Sequence, residues 1–501
     1  MSAPTTAVPE TTSPENRAVL RWLVLATFTV ILNETIMLNA IPRLMEEFDV
    51  PATDAQWLTS AFMLTMAVVI PITGWFLQRV TTRTAFATAM GIFCTGTLLA
   101  ACAWAFPVLI VARVIQAAGT AVMMPLLMTT LMTVVPVNER GKTMGNVTLA
   151  ISVAPALGPT VSGLILQGLS WRWIYLLVLP FALLVSFFAL RKLTNVGERV
   201  LGSIDWFSVL LAVIGFGSIV YGLSSFGAGA APVLFGPWVW VAIGAAGMTA
   251  FVLRQLQLQR DGVPLLDLRT LQVRLYAVSL TLMAAAFMAM LGLMILLPLY
   301  LQDVRGESTL MTGLLLMPGG LAMGVLGPTV GRLFDSYGAR VLVIPGAAVI
   351  VGVLIGFTQL QTTTPIAAIL GLHVLLSLGL AFVFTPVFTV GLGALPPHLY
   401  SHGSSLLGTG QQLAAAAGTA LVVTIMSSRA STLVDGGATQ AAATTGGMRS
   451  AFTVAAGISV LILVLAFFIP GKDDGPTPEH EFTQDERREG SLDVAFETSG
   501  L

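Results

Sequence analysis

The sequence has 501 residues, is 55% hydrophobic and only 10% charged, whereas soluble domains run near 25% charged; it reads as a polytopic membrane protein. A formal net charge of −1 gives no reason to expect nucleic acid. Cys94 and Cys102 lie about 12 Å apart along one predicted helix, too far to bridge within it.

Residues 1–19 read as a cytoplasmic tail whose first sixteen residues are too rich in Thr, Pro and Glu to fold. Apolar runs then occur at 20–42, 55–77, 84–105, 107–132, 142–168 and 172–192, at 206–226 and 237–257, and at 273–301, 310–330, 340–359, 365–393, 403–427 and 448–469. Each is long enough to cross a hydrocarbon core of about 30 Å. The order predicts a six-helix bundle over 20–192, two inserted helices over 206–257 and a second bundle over 273–469. An acidic cytoplasmic tail, 470–501, closes the chain. The first run is too long and too polar in its middle for a signal peptide. With both termini inside, the inner segments hold 18 Lys and Arg and the outer ones 5, which predicts cytoplasmic termini in the cell (inner) membrane. All nine tryptophans fall near predicted helix ends, as an interfacial belt requires.

Within the first run, Val30 to Pro42 contains Asn33-Glu34-Thr35. A carboxylate there costs about 2.5–3.5 kcal/mol and persists where it faces a partner or a water-filled path. Counted from Pro42 and Pro107, Glu34 and Arg113 lie about 12 and 9 Å deep, so the two are expected to share a level. A purely structural ion pair between them is the alternative. His373, about 12 Å below Pro365, adds a group that titrates near neutral pH, although a neutral histidine bonded to a neighbouring helix is the commoner arrangement. Met283, Phe287, Met290 and Met294 form one stripe of the ninth span; thioethers suit a cavity that accepts varied apolar shapes, with packing or lipid contact as the alternative. Ser203 and Asp205 read as cap and dipole-favoured acid at the start of the seventh span.

The segment Gly331 to Arg340, after the tenth span, has a counterpart in Gly74 to Arg83, after the second, in which Gln78 replaces the acid and Thr81 the second glycine. Such repeated halves indicate a transporter with its site between them. In the fifth span, Ala154 to Gly163 places Gly158, Pro159 and Gly163 on a bent, small-faced helix.

These residues together resemble the major facilitator superfamily, specifically its fourteen-span drug:proton antiporters of the lincomycin-efflux type, across all fourteen spans. Gly331, Leu333, Asp335, Gly338 and Arg340 fill the inner-loop pattern, and Gly74, Arg79 and Arg83 fill it in the first half. Gly158, Pro159 and Gly163 match the antiporter motif, and Leu109 to Gly119 resembles the segment with an intramembrane arginine, here Arg113. Asn33 stands where many relatives carry an acid, with Glu34 one residue later, about 100° around the helix. The resemblance implies an all-α membrane fold with a central cavity lined by the first, fourth, ninth and twelfth spans. It implies Asn33 and Glu34 in that lining, proton coupling by Glu34, Arg113 and His373, and gating by the inner-loop residues.

The expected function is therefore proton-coupled export of amphipathic drug-like compounds by alternating access. Neither enzymatic activity, a cofactor nor a metal is expected; the partners are lipid, a small-molecule substrate and protons, and the carrier is a monomer. Gly141-Lys142-Thr143 lacks the strand and glycine of a phosphate loop, and His398 and His402 lack a third ligand. Export of an endogenous metabolite, with drugs carried incidentally, is an alternative. A non-transporting receptor or scaffold is another, of a different class.

Overall fold

A computed structural model describes residues 11–196, 202–227, 236–260 and 264–472; the first ten residues and nearly all of the acidic tail expected at 470–501 lie outside them. Among the described residues, fourteen helices are long and apolar enough to cross a bilayer. They are α1 (Pro14–Met37), α2 (Trp57–Arg79), α3 (Thr82–Ala101), α4 (Phe106–Val134), α5 (Val137–Gly168), α6 (Arg172–Lys192), α7 (Trp206–Phe226), α8 (Pro237–Leu258), α9 (Arg274–Val304), α10 (Leu310–Tyr337), α11 (Arg340–Phe357), α12 (Ile366–Gly393), α13 (Pro397–Asp435) and α14 (Gln440–Ala466). A helix satisfies its own backbone, which hydrocarbon cannot do. Hydroxyls inside the spans follow suit by donating one turn back, as Thr97 does to the Phe93 carbonyl and Thr389 to that of Thr385.

Helices α1–α6 form one bundle and α9–α14 a second, with α7 and α8 inserted between them in sequence. Thr12 donates to Glu139 at the start of α5, and Lys472 to the Ser336 carbonyl at the end of α10. Both described ends of the chain thus lie on one face, called here the terminus side.

Three boundaries differ from the sequence reading. Residues 11–16 are ordered: Ser13 caps α1 by accepting from the Asn16 amide, so the helix starts at Pro14 rather than near residue 20. At its other end α1 stops before Pro42, which opens a separate short helix, Ile41–Phe48, after a turn at Asn39 and Ala40. Glu34 consequently sits one turn from the helix end, about 6 Å, not at the greater depth counted from Pro42. Finally, α13 and α14 run past the hydropathy limits to meet at a tight turn with Gly437 at φ +88°. Ser427 and Thr432 there donate to carbonyls one turn back, so a segment polar enough to read as loop stays helical. Hydropathy marks where a membrane ends, not where a helix does.

The short helix is pinned to the far end of the first bundle. Glu47 pairs with Arg172 at 2.6 Å and accepts from the Trp171 indole at 2.6 Å. Partial burial pushes its carboxyl up, but the bonds from Arg172 and Trp171 outweigh that and hold it below the usual carboxylate range.

The bundles meet along two seams, α5 against α10 and α2 against α13. At the first, backbone touches backbone: a Cβ at Gly327 would lie 2.6 Å from the Gly145 carbonyl oxygen, and one at Gly331 would strike the Gly141 carbonyl. Nearer the far side, Gly313 packs on Pro159 and Gly163 on Leu310. Small residues are what permit this approach.

Two outcomes follow. Gly331→Val should prise this seam apart and lower the melting temperature in detergent, while Gly91→Val, where a Cβ meets nothing within 4 Å, should not. Because the Glu47 carboxyl is lowered on folding, its contribution is complete above about pH 4.5 and fades as pH falls through the lower folded value; Glu47→Gln should flatten that acid limb of the melting profile.

Candidate functional site

Hydrogen bonds between the bundles concentrate at the terminus side. Thr73 of α2 pairs with Ser405 of α13 at 2.8 Å, and Thr129 of α4 with Ser404 at 2.8 Å. Arg140 donates to the Tyr400 hydroxyl at 3.3 Å, and Thr148 of α5 meets Thr385 of α12 at 2.8 Å. Asp335 of α10 accepts from the Gly141 and Lys142 amides at 2.9 and 2.8 Å, so a carboxylate of one bundle caps a helix N-terminus of the other. Among the described residues, the cross-bundle bond in the opposite half is a single long one, Thr160 to the Met317 sulfur at 3.7 Å. The terminus side is closed by a polar lattice, and the far halves are held mainly by apolar contact.

The repeat noted in the sequence organises this lattice. Gln78, at the position equivalent to Asp335, donates its amide to the His398 carbonyl at 2.9 Å. Gly331 packs on Gly141, and Gly74 packs on His402, whose Nδ1 would lie 2.9 Å from a Cβ there. The departure from the acidic pattern is thus chemically matched: Asp335 faces two donors, whereas Gln78 faces an acceptor that a carboxylate would repel. The motif's basic residues do not cross the seam. Arg79 donates to the Gly202 carbonyl at 3.0 Å and lies 4.5 Å over Trp75, anchoring the linker after α6. Arg83 and Arg340 are exposed, and Gly338 takes a left-handed turn at φ +83°.

Deeper in the first bundle, Glu34 is half-buried and, among the described residues, has neither a hydrogen bond nor an ion pair. Arg113 is near enough to act on it electrostatically but is otherwise engaged. It is 1% exposed, donates to the Leu58 carbonyl at 3.3 Å and to Gln116 at 3.2 Å, and sits 4.1 Å over the Phe62 ring. Gln116 in turn donates to Thr97. The direct ion pair weighed from the sequence is therefore not formed, and the guanidinium belongs to the bundle interior. Asn33 is fully buried, with both amide heteroatoms unpartnered, whereas its neighbour Glu34 is half-buried.

The motif on α5 ties Glu34 to the seam. Thr35, the next residue, packs directly on Gly158; Asn39 donates to the Pro159 carbonyl at 3.1 Å; Pro159 and Gly163 face α10. One helix thus touches the Glu34 turn with one face and the other bundle with the adjoining one.

In the second bundle, Met283 is sealed, Phe287 is half-buried and stacked on Phe384 of α12 at 5.0 Å, Met290 is half-buried and Met294 is 45% exposed. The stripe therefore becomes more open away from the terminus side. His373 turns its ring to α10, with Nε2 3.1 Å from the Leu316 carbonyl and Gly319 beneath it. It lies in the α10/α12 interface rather than against Glu34's helix.

Sequence reasoning missed the hydroxyl pairs and the segment Tyr400–Ser405. Their signal was a run of Ser and Thr within an apolar helix, but partners lying 237 to 332 residues away cannot be matched without the fold.

Comparison with known proteins agrees with this architecture. The Major Facilitator Superfamily profile matches residues 23–419. The MFS-type transporter YcnB of Bacillus subtilis is 39% identical over 91% of this chain and 95% of its own length. The lincomycin resistance protein LmrB of Listeria monocytogenes is 38% identical over 90% of this chain and 96% of its own length. The crystal structure of the human organic anion transporter MFSD10 (TETRAN) superposes with a TM-score of 0.65 at 16% identity, over 91% of this chain and all of that one.

Asp335→Ala should remove a cap of about 1 kcal/mol, and Gln78→Glu should set a charge against a carbonyl. With Cys94 and Cys102 replaced by Ala and a single cysteine at Thr148, both variants should speed thiol labelling from the terminus side several-fold.

Proposed function

The chain belongs to the major facilitator superfamily, and from that premise we propose that it is a proton-coupled antiporter, acting as a monomer, that exports amphipathic, cationic or neutral drug-like compounds by alternating access between its two bundles. The observation that carries this reading is Glu34: an unpaired, partly accessible carboxylate within a span, one residue from the contact between α1 and α5. An ionisable side chain kept there is costly and needs a use.

The excess of Lys and Arg in the terminus-side segments supports cytoplasmic termini. The closed lattice of Thr73, Gln78, Asp335 and Ser405 is then the cytoplasmic gate, and parting of the apolar contacts between the far halves opens the carrier outward. In this state Glu34 takes up a proton. Neutral, it no longer attracts a cationic substrate, which leaves. The protonated α1 turn then favours separation of the cytoplasmic ends, where Glu34 loses its proton and a new substrate binds. Each charge moved inward across 100 mV contributes about 2.3 kcal/mol. Phe287, Met290 and Met294 offer the apolar wall, soft enough to take varied shapes. Arg113, held by Leu58 and Gln116, acts on Glu34 through its field rather than by contact, and His373, at the α10/α12 interface, is a second titratable group in the other bundle.

Lincomycin, an amphipathic amine, is the first compound to try, given the names of the relatives. In proteoliposomes an imposed pH gradient should drive its accumulation by the wild type. Glu34→Gln should reduce that at least ten-fold while leaving the melting temperature within a few degrees. Gradient-driven transport by Glu34→Gln at the wild-type rate would remove Glu34 from the mechanism.

A further inference from the structure

The inserted helices have no role in the cycle just described, yet they occupy a particular place. Helix α7 lies over the α2/α13 seam and touches both sides of it. Trp57 at the start of α2 stacks on Tyr221 of α7, with ring centroids 5.7 Å apart and planes at 25°. A Cβ at Gly217 would meet Val68 and Leu64 of α2 at ordinary contact, 3.6 and 3.7 Å. One buried apolar cluster joins Ala67 of α2, Ala416 of α13, Phe216 of α7 and Phe251 of α8. Among the described residues the α5/α10 seam has no such cover, and much of it is backbone against backbone.

Helix α8 packs chiefly on α7, and the pair is stiff. Gly215 sits against the Met248 amide at 2.8 Å and Gly244 against that of Ile219 at 2.6 Å, measured from the Cβ each lacks. At the terminus side Asp205 pairs with Arg254 at 3.0 Å and accepts from Ser208; the Arg254 bond, ahead of the opposing effect of burial, holds its carboxyl below the usual range. This corrects the reading of Ser203 as the cap: Asp205 holds the N-cap position of α7, and its carboxylate also ties α7 to α8 through Arg254. Gln255 donates to Ser208 and accepts from the Leu265 and Leu266 amides, which fastens the linker to α9 onto the same unit. Val213–Gly217 forms a turn of π-helix, which presents Gly217 to α2. Such turns mark functional adjustments of a helix.

We propose that the α7–α8 hairpin is a clasp that holds the α2/α13 seam together through the transport cycle, so that the larger displacement between the bundles falls on the α5/α10 seam. This rests on the rocking motion proposed above. A pseudo-twofold carrier would open its two seams alike; a rigid hairpin seated across only one of them breaks that equivalence. The α5/α10 contacts are largely glycine backbone against backbone and small or aliphatic side chains, with little to resist sliding, whereas the α7 contact on α2 includes the stacked rings of Trp57 and Tyr221, and Phe216 and Phe251 lock α7 to α8 behind it.

Spin-label distances test this without a substrate. In the protein bearing Cys94→Ala and Cys102→Ala, three pairs are introduced at the terminus side: Val137→Cys with Tyr337→Cys across α5/α10, Leu210→Cys with Arg83→Cys between α7 and the first turn of α3, which directly follows α2, and Leu210→Cys with Pro397→Cys between α7 and the start of α13. Each is measured in nanodiscs between pH 5 and 9. The α5/α10 pair is expected to give two resolved distances whose proportions shift with pH, and each α7 pair a single distance. If either α7 pair splits as widely as the α5/α10 pair, the clasp is disproved while the rocking motion stands. If the α5/α10 pair keeps one distance throughout, the rocking motion itself fails, and the clasp with it.

Discussion

Close approach of backbones at the α5/α10 seam is the constraint on which the rest of the arrangement depends. Gly141, Gly145, Gly327 and Gly331 leave no room for a Cβ, and so bring the start of α5 to the end of α10. Only at that separation can the Asp335 carboxylate reach the Gly141 and Lys142 amides. Only then do Thr148 and Thr385 come within bonding distance. In hydrocarbon, apolar burial gives helices little reason to associate, and packing with a few polar contacts must do it. A seam of small residues closed by hydroxyl pairs suits a contact that must form and part repeatedly.

Helix α5 turns that contact into a connection with the interior. Its Gly158 face receives Thr35, and its Pro159 and Gly163 face receives Gly313 and Leu310. Pro155 and Pro159 both lie inside this helix, where each removes a backbone donor and loosens the rod. A change in charge at Glu34 therefore lies one residue from a helix that is bent, closely packed and in contact with the other bundle. The proposed coupling needs no longer route than this.

The two halves are alike in plan and unlike in chemistry. Asp335 accepting from amides and Gln78 donating to a carbonyl occupy equivalent places, and each is correct for the partner it meets. The inserted helices deepen the difference, since α7 covers one seam and, among the described residues, nothing comparable covers the other. Pseudo-symmetry sets the architecture, and local departures from it decide how each seam behaves.

Composition and hydropathy were sufficient for the fold class, because the bilayer imposes a length and an apolarity on every span regardless of its neighbours; fourteen runs in a six, two, six order required little else. The motif glycines, Gly74, Gly158 and Gly331, were also legible, since a close contact between helices needs a residue without a side chain at that position. Helix ends were not, at Pro42 and beyond Ser427, because a turn or a hydrogen-bonded extension depends on local geometry that hydropathy does not report. Nor was the difference between Asn33, sealed, and Glu34, half-buried, or the separation of Arg113 from the carboxylate it was expected to lie level with. Adjacent residues on a helix face different neighbours, and which face meets water is decided by how the helices pack. The sequence by itself determined which chemical groups are placed in the membrane; the tertiary structure decided which of them are paired, because pairing depends on distances between helices that are hundreds of residues apart along the chain.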